Sequence, residues 1–436
     1  MKTKPLLIKN AWICQIESES VNPTFGNMII ENGIISEIRN KGPEKDFDII
    51  DAHERVVTVP NVNFHDHIYS RLTKGLPLHG SMENFPEILE NLWWKLDLLL
   101  DHEMIRASAN MAAIESIRNG VTYIFDHHSS PSYSFGSLNI IKDSLGEFNI
   151  RNILCFETTD RNGEQLKFEG LKENEDFFLY NTDGNSKATF GLHASFTVDD
   201  STLSFVKDFI EKNDDGIHIH ICEDESDRNL SMKKYGKSPV QRLLDYNLLN
   251  EKSILVHGVH LTKEELDLLK NKKSALAINL DSNLNNAVGT LQFRNIPEEF
   301  SILCGTDGMH ADIPRSQKQF FLTMRNQKLS FDKAFYLFRK MYFDQQRFVR
   351  KYFLDFSSLQ VGDRADLIIW DYVPPTPINQ SNFFGHYIYG ILERPVHAVI
   401  QNGKVLMNNF TLRGVDENEI NNYIYEQGKR LVESLS

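Results

Sequence analysis

No positive surplus exists in this chain. Its formal charge is −13, and no stretch gathers lysine and arginine into a stripe. Nucleic acid, which is held through such stripes, is therefore not expected as a partner. Cysteine is scarce as well: Cys14, Cys155, Cys222 and Cys304 are widely spaced, and three of them lie in apolar strand-like runs where buried free thiols are common. That usage predicts a reducing, cytoplasmic compartment. No C-x-x-C pair occurs, which removes ribbon-type zinc sites and the cytidine deaminase fold. The H-E-x-x-H of zinc proteases is also missing. No run of about 18 apolar residues exists, so no membrane span is expected. The basic Met1-Lys2-Thr3-Lys4-Pro5 precedes only Leu6-Leu7-Ile8 before Lys9, too short an apolar core for a signal peptide. Internal repeats and low-complexity tracts are absent too.

What remains is the composition of a globular protein with a sizeable core, 41% hydrophobic and 25% charged. A length of 436 residues suits a barrel with an accessory layer. Small molecules are the expected partners, and self-association into a homo-oligomer is left open.

Two short-strand regions flank a different rhythm. Leu6 to Ile16, Asn27 to Ile30, Ile34 to Ile38 and Asp48 to Ile50 alternate with turn residues, including a hairpin at Glu31-Asn32-Gly33. The same grammar returns in Ala365–Trp370, Val396–Gln401 and Gly403–Leu406, again with an Asn402-Gly403 turn. Residues 1–58 and 358–412 are therefore expected to pair as one β-sandwich domain, followed by a terminal helix over 413–436. Between them, residues 59–357 alternate apolar strand candidates with helices: Thr58–Phe64, Val121–Phe125, Asn152–Phe156, Ala188–Leu192, Gly216–Ile221, Ser253–Val256, Ala275–Leu280 and Ser301–Cys304. Eight such units predict an α/β fold, a (β/α)8 TIM barrel. The clearest helix starts after Asp101 as N-cap, buries Ile105, Ala109, Ala112, Ala113 and Ile117, and stops at Asn119-Gly120. A long insertion from Gly75 to Leu100 carries an amphipathic run over Phe85–Trp94, where a barrel's substrate-covering loop would lie.

The strand ends carry the chemistry. His65 and His67, one residue apart, project from the same face of a strand. The later ends present Asp126, His127 and His128, then Glu157, His193, His220 with Glu223, His257, Asp281 with Asn283, and Asp307. A single strand-end histidine is more often a hydrogen-bonded structural residue than a ligand. So many at one mouth point to a metal centre. In His218-Ile219-His220-Ile221-Cys222-Glu223, only His220 has the spacing that also carries Glu223 over the mouth. His218 is read as a deeper residue supporting it. A metal-activated water requires a carboxylate to take and return its proton, the role that Glu223 suits. Three imidazoles with one carboxylate fit one Zn²⁺ or Fe²⁺.

His65-Asp66-His67, His220 with Glu223, Val256-His257-Gly258 and Gly305-Thr306-Asp307 resemble successive motifs of the amidohydrolase superfamily. The likeness is to the branch holding guanine deaminases, adenosylhomocysteine deaminases and triazine hydrolases. Asn91–Asp97, Ile117–Thr122, Phe125–His128 and Asn283–Gly289 further resemble the SsnA-type aminohydrolases. The likeness runs from the N-terminal sheet to Asp371. It implies a mononuclear site with His65, His67, His220 and Asp307 as ligands, Glu223 as proton shuttle and His257 polarising the water or the oxyanion. His193 stands where binuclear relatives place a carbamylated lysine, which implies a single metal. Two departures from the pattern, Asn61 for glycine and Leu280-Asp281-Ser282-Asn283 for Pro-x-Ser-Asn, touch no proposed ligand, and the second alters a substrate-facing loop and so bears on substrate identity. His193, Asp126, His127, His128, Asn283 and Trp94 are candidates for substrate contact, with packing the competing role for Trp93 and Trp94. The expected activity is removal of an amino group from a heteroaromatic ring with release of ammonia. Hydrolysis of a cyclic amide or loss of another leaving group is the alternative, and a non-catalytic scaffold is disfavoured because no ligand is missing.

Overall fold

Alternating apolar residues and two Asn-Gly turns build the layer formed from the chain ends. The computed structural model describes residues 4–40, 46–77 and 79–435; Met1-Lys2-Thr3 of the basic leading stretch lies outside them. β1 (Leu6–Glu17), β2 (Ser20–Glu31), β3 (Ile34–Arg39), β4 (Asp48–Asp51) and β5 (Val56–Thr58) join β15 (Leu367–Trp370), β16 (Val396–Gln401), β17 (Lys404–Asn408) and β18 (Thr411–Leu412). Hydrogen bonding is continuous in the order β18-β17-β16-β15-β5-β1-β2-β3, with β4 parallel beside β1, so both ends make one nine-stranded sheet. The hairpin turns Asn32-Gly33 (φ 52° and 81°) and Asn402-Gly403 (φ 52° and 71°) abut each other. A Cβ on Gly33 would stand 2.6 Å from Asn402 Oδ1, so glycine serves there both a left-handed backbone and a close approach.

The barrel strands are β6 (Asn61–Asp66), β7 (Val121–His128), β8 (Arg151–Phe156), β9 (Ser186–Ala188), β10 (Phe190–Ala194), β11 (Ile217–Ile221), β12 (Ile254–His257), β13 (Ala275–Ile278) and β14 (Ser301–Cys304). All pair in parallel, as β6-β7-β8-β9 and β10-β11-β12-β13-β14. The ring closes through two bridges, Thr158 to Leu192 and Asp66 to Asp307. At the second seam Thr306 and Asp307 donate their backbone N–H to His65 O at 2.9 and 3.0 Å. Gly305 permits that approach, because a Cβ there would lie 2.3 Å from Asn279 Oδ1 and 2.8 Å from His65 Cβ.

Val121–Phe125 runs on to His128, and three other expected strands divide or end early. Thr58–Phe64 divides at Val59-Pro60, where proline has no N–H for a ladder: Val56–Thr58 serves the end sheet and Asn61 onward the barrel. Ala188–Leu192 is interrupted at Thr189, its first part pairing β8 and its second β11. Leu280 begins the helix Leu280–Asn285 instead of ending β13. The helix His102–Arg118 forms as expected, with Asp101 Oδ1 accepting from Met104 N, and the run after Phe85 contains a π-helical turn at Leu89–Trp93. Buried residues of barrel and end sheet form one contiguous core, with Trp370 donating to Thr58 Oγ1 at 2.8 Å. Among the described residues no helix is long and apolar enough to cross a membrane.

Candidate active site

Period-two geometry on β6 aims His65 and His67 to one side of the strand, and β11 brings His220 opposite them. Nε2 of His220 lies 3.2 Å from Nε2 of His67 and 3.3 Å from Nε2 of His65. Two of these rings have a fixed tautomer. His67 Nδ1 donates to His127 O at 2.6 Å, and His220 Nδ1 donates to His193 O at 3.0 Å, so the protons lie on Nδ1. Burial, before any neighbouring charge, pushes His67 down to about 4 and His220 well below the usual histidine range, so neither ring gains a second proton. Two lone pairs therefore face each other at 3.2 Å. A tetrahedral ion bound at about 2.0–2.1 Å spaces its imidazole nitrogens by roughly 3.3 Å, which these distances match. The donor set fits a divalent metal.

Asp307 completes the cluster, its Oδ1 3.2 Å from His67 Nε2 and 3.7 Å from His65 Nε2. Burial acts to raise its carboxyl, but the His65, His67 and His257 rings packed around it outweigh that and hold it well below the usual range. His257 Nε2 lies 3.3 Å from Glu223 Oε2 and 3.7 Å from Asp307 Oδ2. Burial first, then the Asp307 charge, raises Glu223 well above an ordinary carboxyl, which suits a group that must hold a proton and release it. His257 (φ 71°) and Asp307 (φ 56°) both adopt left-handed backbone, a strain that clusters at functional sites.

A supporting layer orients these groups. His65 Nδ1 lies 2.9 Å from His218 Nε2, which places His218 behind the cluster as its partner. Asp66 is paired with Arg71 at 2.7 and 2.8 Å and accepts from Asn63, which also donates to Thr306 Oγ1. Ser282 Oγ donates to Asp307 Oδ2 at 2.6 Å, and Asn286 Nδ2 to Glu223 Oε1 at 3.2 Å.

The cavity over the cluster is lined by His67, His220, Glu223 and Asp307, with Trp93, Trp94, Tyr69, Phe196 and Met309 as apolar walls and His193, Glu157 and Asp97 as polar ones. His193 and Trp94 thus stand where substrate contact is expected. Asp126, His127, His128 and Asn283 do not line this cavity. Asp126 and His128 share the strand face opposite His127; Asp126 Oδ1 accepts from Ile68 N at 2.8 Å and His128 meets Ser130 Oγ. His127 is fully buried and stacks on His218 with centroids 4.7 Å apart. Asn283 turns its amide onto His257 Nδ1 at 2.8 Å. Sequence reasoning passed over Asp97, Tyr69, Ser282 and Asn286. Asp97 closes the Asn91–Asp97 motif, and Ser282 and Asn286 flank Asn283, so nearness to those residues was the available signal.

A closed parallel barrel with this donor set at its mouth defines a metal-dependent hydrolase. The sequence makes the family explicit: the amidohydrolase family profile matches residues 61–406, and the chain belongs to the amidohydrolase family. It is 26% identical over 442 residues to a 5-methylthioadenosine/S-adenosylhomocysteine deaminase of Thermoanaerobacter pseudethanolicus, covering 98% of this chain and 99% of that one. It is 25% identical to a 5'-deoxyadenosine deaminase of Methanosarcina barkeri, covering 95% of each. Among solved structures, a zinc-bound adenosine deaminase from Xanthomonas campestris superposes with a TM-score of 0.80 at 19% identity, over 98% of each chain. The zinc complex of atrazine chlorohydrolase from Arthrobacter aurescens gives 0.79 at 15%, over 97% of this chain and 100% of that one.

Proposed function

We propose that this chain is a mononuclear aminohydrolase of the SsnA-like kind, replacing the amino group of a heteroaromatic small molecule with oxygen from water and releasing ammonia. The observation that carries the reading is the pair of facing lone pairs on His67 and His220, 3.2 Å apart beside an ionised Asp307. We assign His65, His67, His220 and Asp307 to hold one Zn²⁺, with Fe²⁺ the alternative. The ion supplies Lewis acidity that makes water nucleophilic near neutral pH. Glu223 takes the proton of that water and delivers it to the departing nitrogen. His257, its Nε2 facing both carboxylates, donates to the oxygen that gains charge. His193 and Trp94 border the ring. Residues 59–357 form the catalytic domain in this reading, 1–58 with 358–412 a supporting unit, and 413–436 a terminal helix.

The similarity to atrazine chlorohydrolase favours a second reading in which the same machinery expels a leaving group other than ammonia or opens a cyclic amide. Product analysis separates the two. Metal-loaded protein is offered amino-substituted purines, pyrimidines, pterins and triazines, and ammonia is measured alongside chloride and ring-opened products. Glu223→Gln keeps size and hydrogen bonding, so metal content should persist while kcat falls by about 10²–10⁴-fold. Full rate in that variant would remove the shuttle assignment. Loss of chloride or ring opening without ammonia would select the second reading.

A further inference from the structure

Among the described residues, no lysine or arginine lines the mouth cavity. A guanidinium nevertheless stands directly behind its wall: the charge centre of Arg161 lies 5.0 Å over the ring of Trp94. Its partner is Asp97, which does line the cavity; the two form a hydrogen-bonded ion pair with side chains only 10% and 3% exposed. Ser129 Oγ donates to the same carboxylate at 3.2 Å, and Glu157 Oε1 lies 3.9 Å from Arg161 Nη1. The Arg161 charge is thus paired with Asp97 before any ligand arrives, while its Nε and Nη1 have no hydrogen-bond partner among the described residues.

The Trp94 indole N–H on this wall has no hydrogen-bond partner among the described residues, and the remaining side chains beside it, His193 and Asp97, present acceptors. Thr197 donates its hydroxyl to Ala194 O at 3.0 Å, so its oxygen receives the Nδ1 proton of His193 at 2.6 Å, and His193 Nε2 presents a lone pair. Asp97 Oδ1 has no hydrogen-bond partner among the described residues. A phosphate or carboxylate held against this wall, away from the metal ligands, would leave water and meet the lone pairs of Asp97 and His193 with no lysine or arginine free to balance it, which weakens its binding. An N–H or O–H group, neutral or cationic, would meet acceptors ready for it.

We propose that the buried Asp97–Arg161 pair sets the charge of the substrate: the mouth admits neutral or cationic heteroaromatics that carry N–H or O–H donors, and rejects those bearing phosphate or carboxylate. This rests on the mouth being the substrate site of an aminohydrolase, so the test has one arm that needs turnover and one that does not.

In the first arm, metal-loaded protein is offered ring-matched pairs: adenosine with its 5′-monophosphate, and an aminotriazine with its N-carboxymethyl derivative. The neutral member of any pair that releases ammonia should exceed the anionic one by about 100-fold in kcat/KM, and Asp97→Asn should narrow that gap by at least about tenfold. In the second arm, tryptophan emission is quenched with iodide, caesium and acrylamide in a Trp12→Phe background. Trp93 and Trp94 then report, because Trp370 is fully buried. Freeing Arg161 over Trp94 with Asp97→Asn should raise iodide quenching relative to acrylamide by about fourfold, the effect of one charge about 5 Å away in water. Arg161→Gln leaves the carboxylate unpaired and should move the ratio the opposite way, so the arm survives a variant that fails to fold. Asp97→Asn with Arg161→Gln should restore it. Anionic and neutral partners turned over within about threefold of each other, or a quenching ratio indifferent to these substitutions, overturns the proposal. Ammonia from none of the neutral rings would end the deaminase reading and leave the quenching arm to decide the charge rule.

Discussion

Asn283 donates from Nδ2 to Nδ1 of His257 across 2.8 Å, so the ring's own proton sits on Nε2, the atom facing Glu223 and Asp307. A residue expected to touch substrate instead sets the tautomer of a histidine beside the metal-binding cluster. Its neighbours act alike: Ser282 holds Asp307 and Asn286 holds Glu223. The helix Leu280–Asn285 and the residue after it therefore orient the side chains of His257, Asp307 and Glu223.

Removing that donor should cost rate and not metal. Asn283→Leu is expected to lower kcat by about 10–100-fold, the usual worth of a partner that orients a reactive group, with metal content unchanged. Asn283→Asp, which accepts and draws the proton to Nδ1, should lose more. An active Asn283→Asp enzyme would show that the tautomer of His257 is immaterial.

One metal ion per chain is expected from elemental analysis after purification without chelator. Of the three groupings that could hold an ion, the one made of His65, His67, His127 and His220 shares His65 with the second and His220 with the third, so an ion on His65, His67 and His220 takes a nitrogen from each of the other two. His65→Ala and His220→Ala should each strip a ligand and reduce the bound metal. Two ions per chain at full occupancy would contradict the single-metal assignment.

Asp215 predicts a pH dependence remote from the metal. Burial lifts its carboxyl from 3.8 to about 7, against the smaller opposing effects of Gly216 N–H and Lys252, and Oδ2 has no hydrogen-bond partner among the described residues. The folded state thus holds a proton that the unfolded chain has lost, so this contribution is complete below about pH 4 and disappears as the pH rises through about 7. Asp215→Asn cannot ionise. It should match wild type in Tm near pH 4 and exceed it by about 2–4 °C or more at pH 8–9, as seen by scanning calorimetry. Equal pH profiles would mean that the carboxyl is ionised at no stability cost.

The sheet from the two ends is expected to stabilise without taking part in chemistry. Trp370→Ala removes a fully buried indole and its bond to Thr58, at a cost of about 3–5 kcal/mol. Below the lowered Tm, metal content and kcat should be unchanged. A loss of kcat in fully folded, metal-replete protein would show that the sheet also tunes the site.

Much of this architecture is legible in sequence because it rests on short-range patterns. Fully buried parallel strands demand continuous apolar runs, and the turns at Asn32-Gly33 and Asn402-Gly403 need positive φ. Where strands divide is less visible: Val59-Pro60 interrupts an apolar run that hydrophobicity alone reads as one strand.

The sequence by itself determined the barrel, the strand-end positions of His65, His67, His220, Glu223, His257 and Asp307, and the likeness to a metal-dependent hydrolase family. Local spacing suffices for these, since i and i+2 share a face and strand ends gather at one mouth. Only the tertiary structure decided what each polar side chain meets. Asp126 and His128 face away from the cavity, Asn283 is committed to His257, and Asp97 reaches Arg161 across 64 positions of sequence. Hydrogen-bond partners lie within about 3 Å in space and at any distance along the chain, so composition and period cannot assign them.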